Sequence, residues 1–121
     1  MTGKTILGIK SDLSRELLGK VAIVTGAGRM RGIGRATASV LARMGADIVV
    51  TGTGRNPESF PEDEKSAGWR DIQSTAEEVE SFGVRALPLV SNVADEEDVQ
   101  RMIVDTVAEF GRLDVIVNNA A

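Results

Sequence analysis

Gly26, Gly28, Gly32 and Gly34 lie within nine residues of one another, with Arg29 and Arg31 between them. The apolar run Val21-Ala22-Ile23-Val24 precedes them, and an Ala/Leu-rich stretch follows. A strand, a glycine-rich turn and a helix in that order build a pocket for a pyrophosphate. Glycine lets the backbone turn sharply and approach the anion, and the helix start presents free N–H groups and the positive end of its dipole. The same glycines would also serve plain close packing of helix on strand. A Walker A loop is excluded, because Gly32-Ile33-Gly34 stands where Gly-Lys-Ser/Thr would be needed.

Other chemistries are closed to this chain. It holds no Cys, no His and no Tyr. Thiolate, imidazole and phenol catalysis therefore have no carrier in these residues, and carboxylates and lysines are the acid–base groups that remain. The net charge of −4, without a basic stripe, argues against nucleic-acid binding. No apolar run approaches the ~20 residues of a membrane span, and no secretory signal opens the chain. A cytoplasmic, cysteine-free protein is the matching expectation.

The elements that must position these residues follow from periodicity. With 121 residues and 42% apolar content, one modest domain is expected. Met1 to Glu16 reads as an extension, with a weak strand at Thr5–Ile9. The first strand covers 21–25, and a helix runs from about Gly32 to Met44, with Ile33, Ala36, Val40, Leu41 and Met44 at helical spacing. A second strand spans 47–51. Residues 55–68, with Pro57, Pro61 and the acidic run Glu62-Asp63-Glu64, read as a loop insertion with a solvated face. A helix from about Trp69 to Phe82 carries Ile72, Ala76, Val79 and Phe82 on one face. A third strand spans 84–90, and Pro88 places it at a sheet edge, because proline cannot donate to the ladder. Asp95 is set to cap the next helix, with Asp98 in capping-box position. That helix runs to Phe110 with a stripe of Val99, Met102, Ile103, Thr106, Val107 and Phe110. A fourth strand ends at Val117. Alternating strands and helices predict an α/β fold, a parallel sheet covered on both faces.

Several motifs now stand at matching strand ends. Thr25-Gly26 with Gly32-Ile33-Gly34 follows the first strand, and Asn118-Asn119-Ala120 follows the fourth. In these the chain, from about Leu17 to Ala121, resembles the short-chain dehydrogenase/reductase family. The resemblance implies a Rossmann-type, doubly wound parallel sheet, partial, with strand order 3-2-1-4. It implies that Gly26, Gly28, Gly32, Ile33 and Gly34 hold a pyrophosphate. It implies that Asn92 and Val93 hold the adenine, and that Asn118 and Ala120 border the nicotinamide side, with Asn118 tying adjacent strands. Three departures stand out. Five residues separate Gly26 and Gly32 where three are usual, a length similar to the enoyl-reductase branch. The two extra residues have room to reach over the phosphates. Ala121 stands where glycine is usual, and Asn92 where aspartate is usual.

Charge then bears on the cofactor. The second strand ends Thr51-Gly52-Thr53-Gly54-Arg55, with no acid to accept a ribose 2′-hydroxyl. Arg29, Arg31 and Arg55 lie on loops near the ribose, and the arginine fork suits a 2′-phosphate. NADP(H) is the expected cofactor, with NAD(H) the second choice. The family's Ser, Tyr and Lys catalytic residues have no counterpart in this sequence. The resemblance therefore implies the cofactor-binding half of an oxidoreductase acting on a small alcohol or carbonyl compound, a homo-oligomer at full length. A half-length dinucleotide-binding module without catalysis and an enoyl-reductase relative are the alternatives. A methyltransferase fits less well, because it would want an acid at the end of the second strand.

Overall fold

The computed structural model describes residues 15–120. The weak strand expected at Thr5–Ile9 lies outside them, as does most of the expected extension. Four parallel strands, β1 (Val21–Val24), β2 (Asp47–Gly52), β3 (Ala86–Val90) and β4 (Val115–Val117), pair in the order β3-β2-β1-β4. Val21 pairs with Asp47 at one end of the β1–β2 ladder, and Val24 with Val50 at the other. Val24 also pairs with Val117 across the β1–β4 ladder. β3 lies at the edge that Pro88 requires, in register with Val50.

Val21–Val24 of β1 and Ile48–Val50 of β2 are unbroken apolar runs because both faces of the sheet are covered. Ala22, Val24, Ile48 and Val50 point to one face, where α1 (Ile33–Arg43) and α3 (Ile72–Glu80) contribute Ala38, Ala42, Ala76 and Val79. Ile23 and Val49 point to the other, against Met102 of α4 (Glu96–Phe110). This is the doubly wound arrangement expected from the alternation of strands and helices.

Three local expectations change. The face of α1 that meets the sheet is Gly34, Ala38 and Ala42, all buried, while Ile33 and Val40 are 75% and 42% exposed. Small residues at i, i+4 and i+8 let helix and strand approach closely. A Cβ on Gly34 would run into the Gly26 carbonyl oxygen and come within 3.0 Å of the Ala27 Cα. Large apolar side chains on that face would hold the helix off.

The segment expected as a loop is folded. A 3-10 turn at Pro57–Ser59 is capped by Asn56, whose side chain accepts from the Glu58 N–H. It leads into α2 (Glu62–Ala67), closed by Gly68 at φ 69°. Phe60 and Glu64 are buried, so this acidic run is not wholly a solvated face. The reason is long-range: Glu64 accepts from the Met30 N–H, 34 positions away in sequence. α3 also begins at Ile72 rather than at Trp69, because Trp69 is drawn to the glycine-rich turn.

Asp95 caps α4 as expected, accepting from the Glu97 and Asp98 amides. The reciprocal half of the capping box does not form. The Asp98 side chain accepts from the Asn92 N–H instead, tying the helix to the end of β3.

Candidate functional site

The carboxyl ends of β1, β2 and β3 open onto a cavity of about 620 Å³. A parallel sheet puts every strand's carboxyl end on the same side, so the turns that follow the strands line one crevice. Gly26 and Gly28 line it from the turn after β1, and Ala120 from the turn after β4. Asn92 and Val93 line it from beyond β3, and Arg29 and Arg55 from the loops. Five other residues singled out from the sequence, Arg31, Gly32, Ile33, Gly34 and Asn118, are not on its wall.

Their places lie elsewhere in the fold, Ile33 being exposed at the start of α1. Gly32 precedes α1 and offers no side chain to the first helical amides. Gly34 lies under the Gly26 carbonyl, as described. Asn118 accepts from the Thr25 hydroxyl at 3.3 Å, linking β4 to β1. Asn119 adds a second link, its Nδ2 donating to the Gly26 carbonyl at 3.0 Å. Thr25 Oγ1 also accepts the backbone N–H groups of Asn119 and Ala120 at 3.0 and 3.1 Å. A single buried hydroxyl thus holds the turn after β4 against the turn after β1.

The longer glycine-rich turn has a structural explanation. The Met30 N–H donates to Glu64 Oε2 at 2.9 Å, and the Arg35 guanidinium donates to the Met30 carbonyl at 2.7 Å. Trp69 donates its indole N–H to the Gly28 carbonyl at 2.6 Å. The extra residues therefore fold toward α2 and α3, where they are pinned, and Met30 does not reach the cavity wall. Arg35 in turn pairs with Glu78 at 2.7 Å and stacks over Trp69, 5.2 Å from the ring centre.

The three arginines expected around a 2′-phosphate do not assemble. Arg31 turns away and pairs with Asp63 at 2.5 Å. Arg55 donates to Asp71 Oδ1 through Nε at 2.9 Å and Nη2 at 2.6 Å, and to Glu64 Oε1 at 3.0 Å. It also stacks over Phe60 at 4.5 Å. Burial alone would favour the neutral form of Arg55, but the two carboxylates outweigh it and raise its pKa above the ordinary arginine value. Arg29 lines the cavity with no ion-pair partner among the described residues.

Six wall residues, Thr51, Gly52, Thr53, Asp71, Ser91 and Ala94, were not singled out as site residues from the sequence, and three of them bring new chemistry. Asp71, at the start of α3, contributes a carboxylate that no pattern at the end of β2 announces. Its one local signal was its place directly before the apolar periodicity of α3. The other two are hydroxyls. Thr51 Oγ1 and Ser91 Oγ are buried without a hydrogen-bond partner among the described residues, and both residues line the cavity. Buried hydroxyls without partners are costly unless a ligand or water supplies one. With the side-chain-free wall at Gly26, Gly28 and Gly52, this donor set fits a sugar–phosphate ligand that carries many acceptors and hydroxyls.

Comparison with known proteins bears on the family and the fold. The family model described as short chain dehydrogenase matches residues 20–121. A short chain dehydrogenase/reductase of Aspergillus oryzae is 44% identical over 106 residues, covering 87% of this chain and 34% of the relative. A short chain dehydrogenase from Mycobacterium thermoresistibile superposes with a TM-score of 0.72 at 32% identity, over 87% of this chain and 34% of that one. A short chain dehydrogenase from Mycobacterium paratuberculosis, solved bound to NAD, gives a TM-score of 0.68 at 34% identity, over 87% of this chain and 38% of that one. The chain thus spans about a third of the length of the relatives it matches.

Proposed function

The chain belongs to the short chain dehydrogenase family, and from that membership we propose that it forms the dinucleotide-holding part of an oxidoreductase. The reaction class is the interconversion of a small alcohol and its carbonyl partner. A bound nicotinamide dinucleotide supplies the hydride carrier that this chemistry needs. The residues of this chain do the holding. Gly26 and Gly28, with the first turn of α1 that Ile33 and Gly34 open after the non-capping Gly32, take the pyrophosphate, because no side chain caps the backbone N–H groups there. Asn92 and Val93 border the base. Asn118 and Ala120 border the nicotinamide end, where β4 is locked to β1 through Thr25.

Asn92 holds its amide in a defined orientation. Its Oδ1 accepts the Ala94 N–H at 3.0 Å, so Nδ2 is the edge left for a ligand acceptor. Of the two nicotinamide forms we favour NAD(H), in place of the NADP(H) expected from three arginines. Arg31 is off the cavity wall and paired with Asp63, and Arg55 is engaged by two carboxylates, which leaves Arg29 alone of the three without an ion-pair partner among the described residues.

The observation that carries this reading is the convergence of Gly28, Asp71, Ala120 and two unpartnered hydroxyls on one crevice. Its test is a titration followed through Trp69, the only tryptophan in the sequence. NADH, NADPH and S-adenosylmethionine are compared. Saturable quenching by a nicotinamide dinucleotide is expected. Tightest binding of S-adenosylmethionine would overturn the reading.

A further inference from the structure

Asp71 is the one non-glycine residue with positive φ among the described residues, at φ 64° and ψ −133°. A residue that carries a Cβ adopts that conformation only where its surroundings impose it. Here they do. The Asp71 carbonyl accepts the Ser74 and Thr75 amides at 3.1 and 3.2 Å, and Arg55 grips Oδ1 twice. Its side chain is only 9% exposed.

The two carboxylate oxygens are not equivalent. Oδ1 takes both Arg55 donors, whereas no described residue donates to Oδ2. The carboxylate lies against the backbone of Gly28 and Gly52. A Cβ on Gly28 would collide with it, and a Cβ on Gly52 would stand 3.6 Å from Oδ2. Asp71 therefore reaches the cavity between the phosphate turn and the carboxyl end of β2. A dinucleotide with its phosphates at Gly26–Gly28 and its base at Asn92–Val93 must lay its adenosine ribose in that interval.

The geometry points to Asp71 as the acceptor of the ribose 2′-hydroxyl, and so as the residue that selects NAD(H) over NADP(H). The inference rests on the dinucleotide reading of the cavity. A carboxylate held by an arginine keeps its charge and its direction, and it accepts a hydroxyl hydrogen without rearrangement. The same charge repels a 2′-phosphate. Arg55 does not offset that repulsion, because with Asp71 and Glu64 it forms a cluster of net charge −1. The positive-φ backbone sets the carboxylate between Gly28 and Gly52 on the cavity wall. The acid arrives from the start of α3, across the folded segment at 55–70, instead of from the end of β2.

Affinities for NADH, NADPH and the 2′-deoxyadenosine form of NADH decide this, measured by Trp69 quenching on the wild type and on Asp71→Asn. The wild type is expected to bind NADH about tenfold or more tighter than NADPH, the worth of one charge-assisted hydrogen bond. Removing the ligand's 2′-hydroxyl is expected to cost about as much. Asp71→Asn is expected to shrink both differences several-fold. NADPH binding as tight as NADH to the wild type, or no loss from the missing hydroxyl, overturns the inference while leaving the dinucleotide reading in place. Failure to bind any of the three overturns both. Should the variant not fold, the comparison of ligands on the wild type decides alone.

Discussion

The Trp69 indole N–H donates to the Gly28 carbonyl at 2.6 Å, joining two residues 41 positions apart. One belongs to the turn that faces the cavity. The other directly follows the segment that reads as a loop insertion in the sequence. The contact makes that segment a support for the phosphate turn. Trp69→Phe keeps the ring and removes the donor. We expect a loss of about 1 kcal/mol in stability from the lost hydrogen bond, and a several-fold weaker dinucleotide affinity. Denaturant unfolding followed by circular dichroism and calorimetric titration with NADH, which need no tryptophan, check both. An unchanged affinity would show that the turn holds its shape without Trp69.

Gly34 and Gly32 differ in what a methyl group would meet. At Gly34 it would run into the Gly26 carbonyl and lie 2.9 Å from Asn119 Nδ2, whereas at Gly32 it would sit 3.3 Å from the Arg29 side chain and carbonyl. Gly34→Ala is expected to cost about 1–3 kcal/mol by forcing α1 off the sheet. Gly32→Ala should cost clearly less. Unfolding midpoints of the two variants give the comparison, and equal losses would contradict the packing account.

Thr25 is 2% exposed, and its hydroxyl accepts two backbone N–H groups from the turn after β4. Thr25→Val preserves shape and leaves both donors without their acceptor, a loss of about 1–3 kcal/mol. Thr25→Ser retains the acceptor and should recover most of it. Thermal unfolding of the pair tests this, and a serine variant as unstable as the valine variant would place the effect in the methyl group instead.

Asp114 accepts from Arg112 at 2.8 Å and from the Val21 N–H at 2.9 Å. The Arg112 hydrogen bond foremost, then the Val21 N–H, lowers its pKa from 3.8 to about 2. A depressed carboxylate pKa stabilises the fold above the unfolded value, and that stabilisation is lost as pH falls through the folded value. The stability difference between wild type and Asp114→Asn should therefore be constant near neutral pH. It should shrink between pH 3.8 and about 2. A difference that stays constant through that window would place the effect elsewhere.

The strands, the three longer helices and the turn after β1 were legible in the sequence because each rests on neighbours in the chain. Four apolar residues make Val21–Val24 a buried strand, and Asp95 caps α4 with its own side chain. Pro88 announced an edge strand by its missing N–H. The α1 face was misread because hydrophobicity was taken as the mark of burial. Against a closely approaching strand, size decides, and Gly34, Ala38 and Ala42 win over Ile33 and Val40.

The sequence by itself determined the alternation of strands and helices, the glycine-rich turn and the family. These are local patterns, and local backbone preferences and side-chain periodicity specify them. Only the tertiary structure decided the charge around the site. Whether Arg55 faces a ligand phosphate or a carboxylate depends on Asp71 and Glu64, which lie 16 and 9 residues further along the chain. Electrostatic pairing is set by distance in space. The folding of residues 55–70 brings an acid to the cavity that no residue at the end of β2 supplies.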